Sequence, residues 1–563
     1  MPILGKRARG ANGPRGPLAG STVATLGLPS DLATAVARTV ASLGGEVIDG
    51  PGAQTTCSYL LVAYWYSLDR TVHSATVVTL HWLEEVAAAR ELLPPAQSPY
   101  FQPPLPCQQL VYPVEGYVDF WDATHLHLPS SPHSQLGNGI PLWPYIAGLL
   151  AQPIPHITAL QRTILQIVGD TSSPRCLVPL YKAVQSLPPA DQSIFFDTVL
   201  PAMQALALEL PLLFPASVPL LTTGSNATVV LTKRQAACLL VHGFFCTFPE
   251  DVPDTFPHAI NFWRLHSGRA DHSKVQKLVC LLHYFCRVAC VADPSTLARE
   301  TVSFARVGLD VAALVPSAFA TGAPWAPVSV RSTGAIETDE GALQMDFANK
   351  FAGGGVLGRG CVQEEIRFVI NPECIVSCAL TQVLENNECF VIQGAEQYAT
   401  YCGYGGSFAF DADFVDTTPV DAVTGRRNTV IVGIDATKYA PHTVRHQFRY
   451  TDVVREIGKA FVGFAPLPDE APGTLRPVAT GNWGCGVFGG DVELKFMLQW
   501  IAASLHGRRM TYYTFGNAVL GDALNTTVEK VAQHLSVQQV YQILKAHGGP
   551  RLFEALSQHC PAD

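Results

Sequence analysis

Charged residues are scarce in this chain of 563 residues. They make up 15 % of it, whereas a typical globular protein has about 25 %, and apolar residues make up 48 %. This composition excludes a disordered chain. Basic residues are especially few: 37 Lys and Arg stand against 46 Asp and Glu, which gives a formal net charge of −9. We therefore expect no broad or sequence-specific binding of DNA or RNA, although a local site for an anionic ligand stays open.

None of the fifteen cysteines falls in a Cys-x-x-Cys pair, the spacing typical of zinc and redox sites. The closest spacings, Cys286 with Cys290 and Cys374 with Cys378, lie in apolar stretches with helical periodicity. We predict buried free thiols in a reducing compartment, and neither a disulfide framework nor a metal site. No other pattern calls for a cofactor, so none is expected.

Long uninterrupted apolar runs are also missing. The first residues lack the apolar core of a signal peptide. The stretches 124–161 and 210–232 contain no Asp, Glu, Lys or Arg, but prolines interrupt both. A membrane-spanning helix tolerates few prolines, so no membrane association is expected.

Changes in composition divide the chain into segments. Residues 1–20 form a Gly- and Pro-rich tail with four basic and no acidic residues. That tail is either a nuclear import signal or simply solvated, so the expected location is the nucleus, the cytoplasm or both. The other predicted segments are a small α/β domain at 21–98, a Pro-rich linker at 99–115, a helical domain at 116–300, an α/β domain at 301–550 and a tail at 551–563.

The small domain has a β-α-β pattern. Its predicted strands are 23–26, 59–63 and 76–79, and its predicted helices are 31–43 and 81–93. The segment resembles a BRCT domain, through Leu43-Gly44-Gly45-Glu46-Val47 and Val78-Thr79-Leu80-His81-Trp82-Leu83-Glu84-Glu85. The resemblance implies a protein partner. Because Leu26 stands where such domains often carry a phosphate-binding hydroxyl, the phosphate dependence of that partner is left open.

The two larger segments differ in periodicity. In 116–300 the pattern is helical, most clearly at 233–245 and 274–291. In 301–550 strands and helices alternate, which predicts an α/β domain with a mixed or mostly parallel sheet. The predicted elements there are strands at 389–392, 430–434, 477–480 and 511–515, a helix at 491–505, and a helix beginning at Asn371-Pro372-Glu373.

Two glycine-rich loops carry the chemistry. In the first, Asp346-Phe347-Ala348-Asn349 is followed by Gly353-Gly354-Gly355 and then by Gln363-Glu364-Glu365. Successive glycines expose N–H groups to an anion, and adjacent carboxylates suit acid–base work at a sugar. The second loop, Gly481–Asp491, lies between a strand and a helix and has five glycines in eleven residues. Such a loop can hold a diphosphate through its backbone N–H groups and the dipole of the following helix.

Three tyrosines at intervals of three residues follow in Glu396-Gln397-Tyr398-Ala399-Thr400-Tyr401-Cys402-Gly403-Tyr404. They suit stacking on an adenine or packing in the core, and the sequence leaves both open.

Over roughly residues 200–546 the chain resembles poly(ADP-ribose) glycohydrolases of the animal type. The resemblance rests on the three glycines with Gln-Glu-Glu, on Asn482-Trp483-Gly484-Cys485-Gly486, on Thr514-Phe515-Gly516, and on Phe244-Phe245-Cys246-Thr247-Phe248-Pro249 in the helical segment. It implies a macrodomain with a helical accessory domain, acting without metal or cofactor on poly(ADP-ribose) attached to modified proteins. A role in the DNA-damage response is expected with it.

The resemblance also assigns roles. Glu365 would be the catalytic acid and base, Glu364 would position the ribose at the scissile bond, and Asp346 and Asn349 would support and bind that ribose. The other implied substrate contacts are Ile336, Glu337, Tyr401 and Tyr404 for the adenine, Gly481–Gly490 (with Asn482, Gly484, Cys485, Gly486 and Phe488) for the diphosphate, Phe515 for the distal ribose, and Gly353, Gly354, Gly355 and Gln363 beside the reacting sugar.

Two other classes of function fit parts of the sequence. A macrodomain that only reads ADP-ribose would not need Glu364, Glu365, Asp346 and Asn349 together, and a scaffold would use the BRCT-like segment alone. Because the chain is acidic, we expect binding through neutral N–H groups and stacking, with a weak dependence on salt. The extra positive charge of Arg359 inside the first loop is expected to tune diphosphate contacts.

Overall fold

The computed structural model describes residues 22–26, 30–43, 46–47, 59–62, 76–79, 119–136, 139–170, 176–249, 260–320, 322–470 and 474–561. Contacts divide the chain into two units, Met1–Gly116 and Tyr117–Asp563. None of the helices within these described ranges combines the length and the apolar character that a bilayer crossing requires.

The first unit contains a parallel sheet of four strands in the order β2-β1-β3-β4. Its elements are β1 (Thr22–Leu26), α1 (Ser30–Ser42), β2 (Glu46–Val47), β3 (Tyr59–Val62) and β4 (Thr76–Thr79). The three predicted strands and the first predicted helix are therefore present, whereas the predicted helix at 81–93 lies outside the described residues. Val36 and Val40 are buried on one face of α1, as a spacing of four residues requires.

The second unit begins with helices. They are α2 (Leu142–Leu150), α3 (Ile157–Val168), α4 (Val178–Ser186), α5 (Pro189–Ile194), α6 (Leu200–Leu208), α7 (Leu210–Leu213), α8 (Lys233–Phe245), α9 (Trp263–His266), α10 (His272–Ala289) and α11 (Pro294–Arg299), with a π-helical segment at Phe195–Val199. Both predicted helices of this region are present, as α8 and α10.

One strand in the helical region was not predicted. Strand β5 (Ala227–Thr232) pairs antiparallel with β6 (Thr301–Gly308) at the edge of the large sheet. Its Thr-Val-Val-Leu-Thr run has the β-branched residues that favour a strand. Thr232 ends the strand and caps α8, because its Oγ1 accepts a hydrogen bond from the Gln235 N–H at 3.0 Å.

The large sheet has eight strands in the order β5-β6-β9-β12-β8-β13-β14-β7. The remaining strands are β7 (Val328–Arg331), β8 (Leu343–Asp346), β9 (Glu388–Gln393), β12 (Val430–Gly433), β13 (Val478–Gly481) and β14 (Met510–Tyr513), and β10 (Ala399–Cys402) with β11 (Ala409–Asp413) forms a separate two-stranded ribbon. Neighbours from β12 to β7 pair in parallel, whereas β5, β6 and β9 pair antiparallel. The predicted mixed α/β sheet is confirmed.

Helices cover this sheet. They are α12 (Val311–Ala320), α13 (Gln363–Ile370), α14 (Ser377–Leu380), α15 (Tyr450–Gly463), α16 (Val492–His506), α17 (Ala518–His534), α18 (Val537–His547) and α19 (Leu552–Ser557). Two predictions need correction. The helix expected from Asn371 is a 3₁₀ turn, Pro372–Val376, and the Asn371 side chain makes no capping bond. The expected tail at 551–563 contains α19, since Leu552 and Leu556 supply two apolar side chains that are fully buried.

Candidate active site

Both glycine loops leave the sheet at the same edge. Strand β8 ends at Asp346, directly before the first loop (347–362), and β13 ends at Gly481, directly before the second loop (482–491). The two strands are parallel neighbours. In open α/β sheets, ligands bind in the crevice beyond the carboxyl ends of parallel strands, so the topology places both loops where a ligand is expected.

The two glutamates lie at the first turn of α13, with Glu364 3 % and Glu365 6 % exposed. One oxygen of the Glu364 carboxylate accepts a hydrogen bond from the Gly353 N–H at 2.8 Å, and the other from the Asn349 N–H at 2.9 Å. The Glu365 carboxylate accepts bonds from the N–H groups of Gly355 and Val362, both at 2.8 Å. The acid pair therefore holds the first loop folded over itself.

The pKa of Glu364 is raised well above its usual value. Burial is the main cause, and the negative charges of Asp346 and Glu365 add to it, while the N–H groups of Asn349 and Gly353 oppose it. Glu364 therefore holds its proton up to a higher pH than an exposed glutamate does.

Asp346, the last residue of β8, is completely buried. Neither of its carboxyl oxygens has a hydrogen-bond partner among the described residues. Burial, followed by the charge of Glu365, raises the pKa of Asp346 well above the usual range, and Arg367 opposes the shift. Asp346 therefore favours its neutral, protonated form up to a higher pH than an exposed aspartate does.

The glycines of the first loop leave no room for side chains. A Cβ at Gly354, where φ is +49°, would lie 2.5 Å from a carboxylate oxygen of Glu364 and 2.8 Å from one of Glu365. A Cβ at Gly353, where φ is +84°, would lie 2.3 Å from the Cys378 sulfur. Both positions combine a left-handed backbone with a close approach, which only glycine tolerates.

A lysine from the helical region reaches into this loop. The Nζ of Lys277, on α10, donates hydrogen bonds to the carbonyl groups of Val356 (2.8 Å), Gly358 (2.9 Å) and Gly360 (2.5 Å), and it lies 3.4 Å from that of Gly355. The side chain is completely buried. Burial is the main reason why the pKa of Lys277 falls to about 8.

Two other predicted residues also bind backbone. The side-chain oxygen of Gln363 accepts a hydrogen bond from the Phe347 N–H at 2.8 Å, and its amide donates to the Met345 carbonyl at 3.1 Å. The side-chain oxygen of Asn349 accepts one from the Phe351 N–H at 3.1 Å. Both side chains therefore fix the path of the chain from β8 into the first loop.

Two of the predicted adenine contacts, Ile336 and Glu337, lie in the 3₁₀ turn Ile336–Thr338. Ile336 is 2 % exposed and packs in the core. The hydroxyl of Tyr401 donates to a carboxylate oxygen of Glu337 at 2.9 Å, and a cavity of ≈ 500 Å³ is lined by both residues. Tyr404 is 58 % exposed, which leaves its ring accessible for stacking.

The third tyrosine of that run has a core position. The Tyr398 ring is buried, and its hydroxyl donates to Glu373 at 2.6 Å. Its edge-to-face contact with Tyr284 places it against the helical region.

Hydrogen bonds to neighbouring residues and within the loop fix the second loop. Trp483 is completely buried, and its ring nitrogen donates to the Ile434 carbonyl at 2.9 Å. Asn482 accepts a hydrogen bond from the Tyr512 hydroxyl at 3.0 Å. The loop's own bonds use the N–H groups of Cys485, Gly489 and Gly490. Those of Gly484, Gly486 and Phe488 have no acceptor within the part of the chain that the structure describes.

Phe515 lies over the start of this loop. A Cβ at Gly481 would lie 2.7 Å from the Phe515 ring. Phe515 has a φ of +51°, which is uncommon for an aromatic residue, and it is 48 % exposed. The ring therefore stands at the mouth of the crevice.

Sequence reasoning missed Lys277. The signal was available, because Lys277 shares one face of α10 with Leu281 and Tyr284, four and seven residues further on, and both are buried. A charged residue on an apolar helix face needs a buried partner. In the described ranges, no group of three or more His, Cys, Asp or Glu side chains is arranged to hold a metal ion.

Two family models match the chain. The one described as poly(ADP-ribose) glycohydrolase, helical domain, matches residues 187–306, and the one described as poly(ADP-ribose) glycohydrolase, macro domain fold, matches residues 317–522.

Curated relatives carry the same description. The protein named probable poly(ADP-ribose) glycohydrolase 2 of Arabidopsis thaliana is 34 % identical, over 64 % of this chain and 79 % of the relative. Poly(ADP-ribose) glycohydrolase 1 of the same plant is 31 % identical, over 64 % and 80 %. Poly(ADP-ribose) glycohydrolase 1 of Caenorhabditis elegans is 31 % identical, over 55 % of this chain and 39 % of the relative.

Proposed function

The chain belongs to the poly(ADP-ribose) glycohydrolase family, and from that premise we propose that it hydrolyses the ribose–ribose O-glycosidic bonds of poly(ADP-ribose) on modified proteins, with Glu365 as general acid and base. One observation carries the assignment of Glu365. Its carboxylate is buried within a glycine loop at the carboxyl end of a parallel strand, next to a second carboxylate.

The reaction needs two proton transfers at the same carboxyl group. Protonated Glu365 gives its proton to the leaving ribose oxygen as the C–O bond breaks and positive charge develops on the other ribose. The resulting carboxylate then removes a proton from the attacking water, which restores the acid. Each Glu365 oxygen already accepts one backbone hydrogen bond, so its remaining lone pair does this work.

Glu364 and Asp346 set the charge around that step. Burial and neighbouring acids raise the pKa of both groups, so each favours its protonated form up to a higher pH than an exposed carboxyl group does. The Glu364 carboxylate accepts the N–H bonds of Asn349 and Gly353 and would hold the ribose hydroxyls at the edge of the loop.

The rest of the substrate extends over the second loop. The N–H groups of Gly484, Gly486 and Phe488 point to a diphosphate held at the start of α16, where the helix dipole favours negative charge. Tyr404 and Glu337 would hold the adenine, and Phe515 would pack against the distal ribose.

The test is turnover of poly(ADP-ribose) by the full chain, followed as release of ADP-ribose. Glu365→Gln should lower kcat by about 10³-fold or more and still bind ADP-ribose, with Glu385→Gln, an exposed glutamate, as the control. Full activity of Glu365→Gln would remove Glu365 from the chemistry. ADP-ribose binding by the wild type with no turnover would make the protein a reader.

The first unit supports a second proposal, a BRCT-like domain that binds a protein partner. Its parallel order β2-β1-β3-β4 with α1 after β1 supports this proposal. A role in the DNA-damage response, a location in the nucleus or cytoplasm, and the animal type of the family are proposed with it. Recruitment of the full chain to damaged chromatin, compared with a chain lacking residues 1–98, tests the role of this unit.

A further inference from the structure

A group of basic side chains borders the first glycine loop, although the chain as a whole is acidic. Arg359 belongs to the loop itself, Arg264 lies on α9, and Arg269 and Lys274 lie just before and within the first turn of α10. We call these four residues the basic rim. The Arg359 and Arg269 side chains are 68 % and 80 % exposed, so these two members of the rim face solvent.

The positive charges of the rim are only partly compensated. Asp271 pairs with both Arg269 (2.7 Å) and Arg359 (3.2 Å). Lys274 is buried, and its ammonium donates to the Ser267 carbonyl at 2.6 Å, which brings no negative charge. Burial first, and then the charges of Arg359 and Arg264, lower the pKa of Lys274. Among the described residues, Asp271 is the one carboxylate that acts on this group of cations, so a positive surface remains.

The rim adjoins the reacting carboxylate. Arg359 precedes Gly360, and a Cβ at Gly360 would lie 2.5 Å from a Glu365 oxygen. Lys277, one turn along α10 from Lys274, holds the Gly360 carbonyl. When a glycosidic bond of the polymer lies at Glu365, the atoms that follow this bond along the polymer therefore lie beside the rim.

We propose that the basic rim binds the diphosphate of the ADP-ribose unit that adjoins the unit held in the crevice. The inference rests on the proposed function, because it requires a linked substrate. Each unit of the polymer carries a diphosphate, and an arginine fork pairs with phosphate oxygens in a bidentate manner. The second loop already offers N–H groups to one diphosphate, so the rim is available for another.

This proposal changes the expected role of charge in binding. The sequence, with its net charge of −9, suggested affinity from neutral donors alone and a weak dependence on salt. The basic rim predicts instead that chains of two or more units bind with a steeper salt dependence than free ADP-ribose, because each phosphate that pairs with a cation releases counterions.

The test compares ligands of one and two units in the full chain carrying Glu365→Gln, so that binding is measured without turnover. Arg359→Ala should weaken binding of the two-unit ligand by about 5–10-fold and reduce the salt slope of log K by about 0.7 for each phosphate that no longer pairs with a cation. Binding of free ADP-ribose should stay within about twofold.

Arg299→Ala is the matched control. The Arg299 side chain is 66 % exposed and pairs with Asp293 at 3.0 Å, which resembles the Arg359–Asp271 pair outside the rim. Equal losses of affinity in Arg359→Ala and Arg299→Ala would overturn the proposal, as would equal losses for the one-unit and two-unit ligands. A single-stranded DNA that competes as well as the two-unit ligand would also overturn it. Absence of ADP-ribose release by the wild type would instead defeat the proposed function.

Discussion

At the scale of single residues, the acid pair does structural work in addition to its proposed chemistry. The carboxylates of Glu364 and Glu365 together accept four backbone hydrogen bonds from the first loop. A carboxylate cannot approach backbone N–H groups so closely unless the intervening residues lack side chains, which explains the glycines. The loop and the acids therefore define each other's positions, and a substitution in the loop should displace the carboxylates.

Gly354→Ala tests that dependence. The new Cβ would lie within 2.8 Å of oxygens of both glutamates at a φ of +49°, so the loop must shift. We expect kcat to fall by about 100-fold, and we expect the melting temperature to fall as well, because alanine is strained at a positive φ. Gly358→Ala is the control in the same loop, because its Cβ would meet nothing closer than 3.6 Å; equal activity of the two variants would contradict the argument.

Asp346→Asn tests the buried acid. Its raised pKa means that folded Asp346 keeps its proton while the unfolded chain releases it above about pH 4. Stability from this group is thus complete below pH 4 and is lost as the pH rises. Asp346→Asn should raise the free energy of unfolding by about 1 kcal/mol at pH 7, and the gain should vanish near pH 4.

The opposite sign is expected at Glu470. Arg508 and two backbone N–H groups lower the pKa of this glutamate against the effect of burial, so its stabilisation is present at neutral pH and is lost on acidification. Glu470→Gln should be less stable than the wild type at pH 7, and the gap should close as the pH falls below 4. Denaturant unfolding across this pH range measures both variants, and parallel behaviour would contradict the assigned shifts.

At the scale of secondary-structure elements, α10 links the helical region to the first loop through Lys277. Its ammonium binds carbonyls that are brought together only when the loop turns back on itself. Lys277 is thus a positioning residue, since it acts on Glu365 through the loop. Glu365, Cys361 and Lys274 are the titratable groups that influence it.

Lys277→Met should lower kcat by about 10–100-fold with a smaller effect on KM. In the wild type, kcat should fall as the pH rises through about 8, where Lys277 loses its charge, and the variant should lack this limb. Global stability should not fall over the same interval, since an unfolded lysine keeps its proton to about pH 10.

Lys459→Met is the matched control for this change. Lys459 is also completely buried; it donates to the carbonyls of Glu385 and Glu388 and pairs with Asp435 at 2.6 Å, and none of these partners belongs to either glycine loop. The Lys459→Met variant should be less stable than the wild type, and its kcat should keep the pH dependence of the wild type. The positioning role of Lys277 would be contradicted if kcat of Lys459→Met no longer fell at alkaline pH. It would also be contradicted if kcat of Lys277→Met still fell there.

The sequence predicted elements where the local pattern matches the final environment. Strands β9, β12 and β14 are continuous apolar runs buried on both faces, and such runs are recognisable in isolation. Strand β5 was missed because its short β-branched run lies within a segment whose overall pattern is helical, and only pairing with β6 gives it an edge position. The glycine loops and the acid pair were predicted from their spacing. The lysine that holds them was not, because its contacts span about eighty positions along the chain.

At the scale of the whole molecule, the two units allow a test of modularity. The first unit has its own sheet and is assigned no part of the candidate active site. A chain of residues 117–563 should therefore fold and hydrolyse poly(ADP-ribose) with kcat within about twofold of the full chain. Thermal melting and turnover, measured side by side, check this, and loss of either would show that the units depend on each other.

Strand β5 lies within the segment that matches the helical family model, yet it forms the edge of the sheet of the other segment. Lys277 comes from the same segment and secures the loop of the acid pair. The two segments therefore depend on each other for their structure. In a chimera that takes only residues 317–522 from a relative, β5 and Lys277 would still come from this chain and would pack against a sheet and a loop of the relative. A chimera that takes residues 187–522 would keep β5, Lys277, the sheet and the first loop from one protein.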